Sequence, residues 1–422
     1  MYKLKSVYAT ISFERNKINL LVVERTKDKT NCLYYNSITH DYLDQNISFI
    51  NYDHLIAKLR TLVRGGDKFL GINIKRYIIN ISCLPIKSIQ GHSPESLVFE
   101  TLIDDHAHSY VNKLVLAKRD EVQYTLDAHA TGWYLDGQYT PQFPEGSNGK
   151  KISFDYIAIT AQRRIIDQFI DLLEKVGGKP LAITCNSLCL GICASGEKTD
   201  GIVVDIKTTS TIINLYNKYG QIRAITTINK GSNWYFEEVK KLLGIEFQTN
   251  LMPMIEALNL ISDVDEEAVL LHKHTNEFLT IQEGNIHSLS IALKITSKRL
   301  FKEIDEVLTE IKSKYHANFT KIYLNVTESL VYAFYEACPF TSIDNLPVQL
   351  LANTVVGLEN YAINNMLAAI TYVHNLQTQT QDLHTYSIDP FVSQKMSDYQ
   401  FKQNLWTKLG IISTRWAAKL GE

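Results

Sequence analysis

The chain has 422 residues, which is enough for two or three domains of about 150 residues each. Hydrophobic residues make up 45% of it and charged residues 21%, a balance typical of a globular protein with a packed core. The formal net charge of −2 excludes a general electrostatic match to nucleic acid, so any attraction to an anionic surface must be local.

The N-terminal segment MYKLKSVYATISFER lacks the apolar core of a signal peptide, and no stretch approaches the roughly 18 to 20 apolar residues of a membrane span. Six cysteines in this length do not form a disulfide framework, so we expect a cytoplasmic protein. Cys185, Cys189 and Cys193 recur at every fourth position, which would suit either close helix packing or a metal or redox site. No Cys or His partners complete a ligand shell, so we predict no metal site.

The first part of the chain predicts strands followed by a helix. The predicted strands are residues 7–11, 18–23, 77–83 and 154–159. The first two are joined by a polar turn and form a β-hairpin pattern. Apolar residues then follow a helical period between Ile165 and Val176, and Gly177 and Gly178 end the helix. This order is typical of an α/β fold.

The same order begins again near residue 200. The predicted elements are strands at 201–206, 210–217 and 221–228, a helix at 234–243, an amphipathic helix at 286–315 and a strand at 322–326. Because the chain opens twice with a hairpin, a strand and a helix, two similar α/β lobes are favoured over one continuous sheet.

Two segments interrupt this order and divide the chain into domains. Residues 84–153 mix strand and helix patterns and indicate an insertion, and residues 377–400 are polar and indicate a flexible linker. The predicted domains are a first lobe from 1–83 and 156–198 closed by 353–376, an inserted subdomain 84–155, a second lobe 199–352, the linker 377–400, and an amphipathic helix 401–422.

The second hairpin carries a recognisable loop. Residues 203–216, VVDIKTTSTIINLY, align without gaps with V-V-D-I-G-G-G-T-T-D-I-A-V-Y, the second phosphate loop of the actin, Hsp70 and sugar-kinase superfamily. Asp205 stands at the position of the superfamily's Asp, whereas Lys207, Thr208 and Thr209 replace its glycines. Such loops hold phosphate with backbone N–H groups that glycine allows to approach closely. Asp205 would also suit the simpler role of a strand-end carboxylate that caps a turn.

Within that superfamily the chain resembles bacterial FtsA, a cell-division protein that tethers the tubulin-like FtsZ polymer to the membrane. The insertion follows the third strand of the first lobe, where FtsA carries an extra subdomain. Residues 230–237 are similar to the family's Gly-Gly…Asp helix start, 255–259 to its Ala-Glu-x-x-Lys motif, and the helix with Arg299 to its Arg-x-x-Glu segment. The resemblance implies an actin-like (ribonuclease H-like) two-lobed α/β fold with an inserted FtsA-type subdomain.

The chain departs from the superfamily where nucleotide would bind. Residues 10–13 (TISF) replace Asp-Ile-Gly-Thr, with Phe13 bulky beside a phosphate, and 324–327 (LNVT) replace the adenosine loop Leu-Thr-Gly-Gly. Metal-assisted phosphoryl transfer needs placed carboxylates and unobstructed loops, so we predict a degenerate ATPase with no catalytic residues, and ATP with Mg²⁺ as its candidate ligand. The residues that the resemblance assigns to nucleotide binding are Ser12, Asp205, Lys207, Thr208, Thr209, Ser210, Gly231, Glu256 and Asn259.

Residues 401–422 combine an apolar stripe at helical spacing with four basic residues and one acidic residue. Interfacial helices have these features, and long basic side chains can reach headgroups from beside the stripe. The predicted membrane-binding residues are Phe401, Lys402, Leu405, Trp406, Lys408, Leu409, Ile412, Arg415, Trp416, Lys419 and Leu420. The alternative is a terminal helix that docks on the protein's own lobes.

The resemblance implies a membrane adaptor of the bacterial divisome that tethers FtsZ-type polymers to the inner face of the cell membrane. Its expected partners are an FtsZ-like tubulin homologue, which would dock on the second lobe near residues 255–315, the membrane surface, further copies of the chain and other divisome proteins. It would be cytoplasmic and peripheral on the membrane. Two alternatives stay open: a PilM-like scaffold of pilus machinery, which shares the two lobes and the inserted subdomain, and an active actin-like ATPase.

Overall fold

The computed structural model describes residues 6–14, 17–26, 29–40, 49, 51–82, 84–103, 106–107, 109–111, 122–194, 199–218, 220–243, 267–271, 278–326, 342–343, 346–351 and 363–378. They form two compact units: unit 1 takes those within 1–190 and 353–422, and unit 2 those within 191–352. Among these residues, no helix combines the length and the apolar character that crossing a bilayer requires.

The described strands are β1 (Ser6–Phe13), β2 (Lys17–Arg25), β3 (Thr30–Thr39), β4 (Arg76–Ile81), β5 (Ile86–His92), β6 (Ser96–Leu97), β7 (Gln123–Leu135), β8 (Gln138–Thr140), β9 (Lys151–Gln162), β10 (Lys179–Thr184), β11 (Gly201–Ile206), β12 (Thr211–Tyr216), β13 (Ile222–Ile228), β14 (Glu267–Leu271), β15 (Phe278–Gln282), β16 (Ile322–Val326), β17 (Ser342–Ile343) and β18 (Leu346–Leu350). The described helices are α1 (Tyr52–Leu70), α2 (Arg163–Lys175), α3 (Asn186–Cys189), α4 (Gly191–Ala194), α5 (Ser232–Leu243), α6 (Glu283–Tyr315) and α7 (Asn364–Thr378).

Unit 1 is built on a sheet with strand order β3-β2-β1-β4-β10. The hairpin of β1 and β2 and the next strand β3 are antiparallel, while β4 and β10 run parallel to β1. Leu20, Leu21, Val22 and Val23 are all completely buried, so both faces of β2 are covered. The helices α1 and α7 pack against the sheet, α1 on β2 and β3, and α7 on β1 and β4.

Unit 2 repeats this arrangement, with strand order β13-β12-β11-β16-β18-β17. Again a hairpin and a third antiparallel strand are followed by two parallel strands, β16 and β18. Its core joins the sheet to α5 and α6 through residues such as Val204, Tyr235, Leu300 and Ile304. The repeated strand order confirms the prediction of two similar α/β lobes.

The segment between β4 and α2 forms a separate sheet in unit 1, with order β5-β9-β7-β8 and β6 beside β9. It has its own core, in which Trp133 packs against Phe143 and Phe154. The predicted strand at 154–159 lies within β9, and β9 continues to Gln162, beyond the predicted end of the insertion at residue 155. All of β9 therefore belongs to the inserted sheet.

The helix α7 packs on β1, β4 and α3 and so lies within unit 1. Its buried face is apolar and includes Met366, Ile370 and Val373. Two polar contacts add to it: the Tyr8 hydroxyl lies 2.9 Å from Nδ1 of His374, and Arg25 donates a 2.8 Å hydrogen bond to Thr371. The helix extends to Thr378, into the first positions of the predicted linker. Residues 379–400 and the predicted lipid-binding segment 401–422 lie outside the described residues.

Candidate functional site

The residues aligned with the second phosphate loop meet where β11 ends in unit 2. Asp205 is the penultimate residue of β11 and is 2% exposed. The turn that follows is closed by a 2.9 Å hydrogen bond from the Lys207 amide to the Ser210 carbonyl, with Thr208 and Thr209 at its tip. The structure therefore brings these predicted site residues together on one hairpin.

Both oxygens of the Asp205 carboxylate have partners. Asn325, on the parallel strand β16 and directly opposite in register, donates a 2.7 Å hydrogen bond to Oδ1. Oδ2 lies 3.8 Å from the Lys207 ammonium group. A buried carboxylate is stable only when it is paired in this way, and the cation comes from its own loop.

Gly231 holds the hairpin turn against the first turn of α5. The amides of Ser232 and Asn233 donate to the carbonyls of Lys207 and Thr208, at 2.8 and 3.0 Å. A Cβ on Gly231 would lie 2.3 Å from the Lys207 carbonyl oxygen, so this contact requires glycine. Helix N-terminal amides often bind anions, but here the loop's own carbonyls accept from them.

These contacts decide how a nucleotide would fit. A Mg²⁺-bound nucleotide would need an available carboxylate and N–H donors directed at phosphate. Asp205 is already paired with Lys207 and Asn325, and two amides of α5 are bonded to the turn. The arrangement does not fit metal-assisted phosphoryl transfer, because Lys207 would first have to leave Asp205.

In unit 1 the position that corresponds to Asp205 is held by Ser12, the penultimate residue of β1, and not by Thr10, where the alignment of residues 10–13 with Asp-Ile-Gly-Thr puts the Asp. Ser12 faces Asn80 across β1 and β4, and the Asn80 amide donates to its hydroxyl at 3.3 Å and to Asn186 Oδ1 at 3.1 Å. Thr184 donates to Asn80 Oδ1 at 3.3 Å. This cluster is buried, and all four of these side chains are neutral. The side chain of Phe13, expected to be bulky beside a phosphate, instead packs in the core against Phe169.

Sequence reasoning missed Asn80, and it assigned Asn325 to the adenosine loop, whereas the structure places Asn325 in strand β16 against Asp205. A signal for them exists, because each is a polar residue that follows an apolar strand in a similar context, YIIN at 77–80 and IYLN at 322–325. Of the other predicted residues, Glu256, Asn259 and the eleven membrane-binding residues between Phe401 and Leu420 lie outside the described part of the chain.

A second feature of unit 2 is an open groove of about 780 Å³ between α5, α6 and the end of β13. Its apolar lining comes from Ile228, Trp234 and Val307, and its other lining residues are three basic and three acidic side chains. Lys230 pairs with Glu303 and lies 4.6 Å from the centre of the Trp234 ring.

Across the groove Arg299 donates a 3.0 Å hydrogen bond to Glu238. Lys241, together with Arg299, holds the pKa of the Glu238 carboxyl below its ordinary value, so this carboxyl is ionised at neutral pH. The groove thus offers an indole ring and charged side chains of both signs, including the pairs Lys230–Glu303 and Arg299–Glu238. Such a surface suits a peptide with mixed polar and apolar side chains.

No protein-family model matches the chain, and no curated protein matches its sequence. Among solved structures, the chain is similar to one described as the PilM-PilN type IV pilus biogenesis complex, with a TM-score of 0.53 and 11% identity over 87% of this chain and 97% of that one. It is also similar to the ethanolamine utilization protein EutJ from Carboxydothermus hydrogenoformans, with a TM-score of 0.42 and 12% identity over 87% of this chain and 88% of that one.

A third similar structure is a Bacteroides thetaiotaomicron protein described as having an actin-like ATPase fold and unknown function, with a TM-score of 0.37 and 11% identity over 87% of this chain and 96% of that one. At these identities a likeness shows the fold alone. The repeated strand order and the PilM-PilN likeness define the fold class: the chain has the actin-like, two-lobed α/β fold with an inserted subdomain. The predicted fold class is confirmed.

Proposed function

We propose that this chain is an actin-fold adaptor that acts by binding other proteins at a membrane and not by turning over ATP. The supporting observation is the pairing of Asp205 with Lys207 and Asn325. Hydrolysis in this superfamily depends on carboxylates that position Mg²⁺ and water, and here a lysine of the same loop neutralises the carboxylate. The two lobes then serve as a scaffold that presents binding surfaces.

An ATPase assay with Mg²⁺ tests this step. We expect phosphate release at the background rate, unchanged by Asp205→Ala, and no rise in melting temperature with ATP and Mg²⁺. Stabilisation by ATP and Mg²⁺ that Asp205→Ala abolishes would instead support the active ATPase.

In its specific form, the proposal is an FtsA-like adaptor of bacterial cell division that tethers FtsZ-type polymers to the inner face of the membrane. The amphipathic pattern of residues 401–422 supports it, whereas the inserted sheet between β4 and α2 fits an FtsA-like adaptor and a PilM-like scaffold equally. Each apolar residue inserted into the interface contributes roughly 1 kcal/mol, and polymerisation would add avidity by linking many copies.

Cosedimentation with anionic vesicles tests the membrane part of the proposal. We expect the full chain to bind and a version ending at residue 400 to lose binding. Leu409→Glu places a charge in the apolar stripe and should weaken binding strongly, whereas Gln403→Glu adds the same charge on the opposite side of the helix and should have a small effect. Equal binding by the full and shortened chains would contradict membrane attachment through this segment.

The groove of unit 2 is the proposed docking surface for the polymer's C-terminal peptide. Its α6 side lies within residues 255–315, the region that the FtsA resemblance assigns to this contact, and its other side is formed by α5 and the end of β13. Fluorescence anisotropy with a labelled peptide tests it: Trp234→Ala and Arg299→Ala should each weaken binding about 10-fold, since truncated hot-spot residues cost more than about 1 kcal/mol. Lys294→Ala, an exposed lysine of α6 outside the groove lining, is the control, and equal affinity in all variants would contradict docking here.

A second candidate is a PilM-like scaffold of a membrane assembly. It is favoured by the likeness to the PilM-PilN structure, which extends over 97% of that chain. Affinity purification from cells of the source organism distinguishes the two candidates. Recovery of a tubulin-like protein supports the division adaptor, and recovery of inner-membrane pilus components supports the scaffold.

A further inference from the structure

Exposed lysines from separate parts of the chain lie along one end of the unit 1 sheet, where β4 and β10 begin and β2 ends. They are Lys29 after β2, Lys68 in the last turn of α1, Lys75 before β4, and Lys179 at the start of β10. The Lys179 amide donates a 2.8 Å hydrogen bond to the Lys75 carbonyl, which places these two side by side. The Ile74 amide donates to Asp67 at 2.9 Å, which brings the end of α1 to the same place.

Three acidic side chains lie near this end among the described residues. Asp67 accepts a hydrogen bond from the Ile74 amide, Glu24 is half-buried, and Glu174 is exposed near the end of α2. A helix C-terminus favours Lys68 through the helix dipole, but that effect does not explain lysines at the starts of two strands and in a turn. The helix dipole of α1 therefore does not account for the positive charge at this end of the sheet.

An exposed aromatic ring follows one of these lysines in the chain. Phe69 follows Lys68 at the end of α1 and is 67% exposed, although its ring contacts Tyr34 at a centroid distance of 5.4 Å. Exposed apolar rings beside basic side chains are typical of surfaces that lie against anionic lipid.

The C-terminal part of α7 lies at this same end. His374 contacts Tyr8 near the start of β1, and Thr371 contacts Arg25, which is directly opposite Ser6 in register. The last described contacts of α7 therefore lie toward the lysine-bearing end of unit 1. In the sequence, α7 precedes the segment 401–422 that is proposed to bind lipid.

We infer that this basic end of unit 1, formed by Lys29, Lys68, Lys75, Lys179 and Phe69, is a second contact with anionic lipid. The inference rests on the proposed membrane attachment: the terminal segment supplies apolar anchoring, and the basic end holds unit 1 against the headgroups. Each lysine near an anionic surface strengthens binding about five-fold, and peripheral proteins that bind stably combine two such signals.

Vesicle binding by the full chain tests the inference. One triple variant removes three charges from the basic end: Lys29→Gln, Lys68→Gln and Lys75→Gln. The matched control removes three exposed charges from α6: Lys294→Gln, Lys298→Gln and Lys314→Gln. On phosphatidylcholine vesicles containing phosphatidylserine, we expect the first variant to bind on the order of 100-fold more weakly and the control to bind as the wild type. On vesicles of phosphatidylcholine alone, the wild type and the two triple variants should bind equally. The melting temperatures of these three proteins should agree.

Two results would overturn the inference: wild-type binding by the basic-end variant, or an equal loss in both triple variants, which would show an effect of net charge alone. The version ending at residue 400 is measured alongside. If it binds as the full chain does, the proposed terminal anchor fails, while the comparison of the two triple variants still decides the role of the basic end.

Discussion

Asn325 and Asp205 are joined by a 2.7 Å hydrogen bond between neighbouring parallel strands of unit 2. Asn80 and Ser12 are joined in the same register in unit 1, at 3.3 Å. The two units have the same strand order, so an asparagine on the fourth strand meets the first strand at the same point in each. In unit 2 this contact holds a carboxylate that Lys207 also neutralises, which makes it a structural pair.

We predict that Asn325→Ala destabilises the protein by about 1.5–3 kcal/mol, because it removes a hydrogen bond to a buried charged group. Denaturant unfolding measures this loss. Asn233→Ala, an exposed position at the start of α5, is the control and should change the unfolding free energy by less than about 0.5 kcal/mol. Equal stability of both variants would show that Asp205 does not depend on Asn325.

Gly231→Ala should destabilise unit 2 by about 1–3 kcal/mol, because the added methyl group meets backbone atoms that cannot rotate away. Its Cβ would lie 2.3 Å from the Lys207 oxygen and 2.5 Å from the Ser210 nitrogen. The turn would have to separate from α5, which breaks the bonds from the Ser232 and Asn233 amides. Thermal unfolding checks this against Thr209→Ala, which changes an exposed residue of the same turn. A stability equal to that of the control would contradict the close approach.

The long elements of the fold could be predicted from local pattern. The helical period over 286–315 gives α6, Glu283–Tyr315, and the apolar runs around a polar turn give β11 and β12. The helix α1 was missed, although Leu55, Leu59, Leu62 and Val63 are buried at helical spacing, so its signal was present. The strand β3 was also missed, because its residues are mostly half-buried and show no clear alternation.

Pairing partners could not be predicted in this way. The apolar run of β9 would suit a lobe strand or an inserted strand equally, and only its pairing with β5 and β7 decides between them. The site shows the same limit. Asp205 was found by its motif, but Asn325 lies 120 residues away in sequence and reaches it only through the parallel register of β11 and β16.

Tyr235 fixes α5 on α6 beneath the groove. Removing its hydroxyl should weaken the contact between these two helices. Its hydroxyl is buried and bonds to the Leu293 carbonyl at 3.0 Å and to the Ser297 hydroxyl at 2.8 Å. We predict that Tyr235→Phe costs about 1–2 kcal/mol of unfolding free energy, because buried polar groups lose their partner. Tyr139→Phe removes the same atom from a 57% exposed side chain and should have a negligible effect. Matching unfolding curves for the two variants would contradict this role.

His374 links the stability of unit 1 to pH. Burial, and next the neighbouring Arg25, lower the pKa of His374 below its ordinary value of 6.5. Neutral Nδ1 can accept a hydrogen bond from the Tyr8 hydroxyl, whereas the protonated ring cannot and would face the charge of Arg25. The unfolded chain therefore binds the proton at a higher pH than the folded chain does.

It follows that the free energy of unfolding falls as the pH is lowered through 6.5 and on through the lower pKa of the folded state. We predict a smaller loss of melting temperature between about pH 8 and pH 5 for His374→Gln than for the wild type, because glutamine does not titrate. His54→Gln, which changes an exposed histidine of α1, should keep the wild-type slope. If His374→Gln kept that slope as well, the docking of α7 on β1 would not be sensitive to protonation of His374.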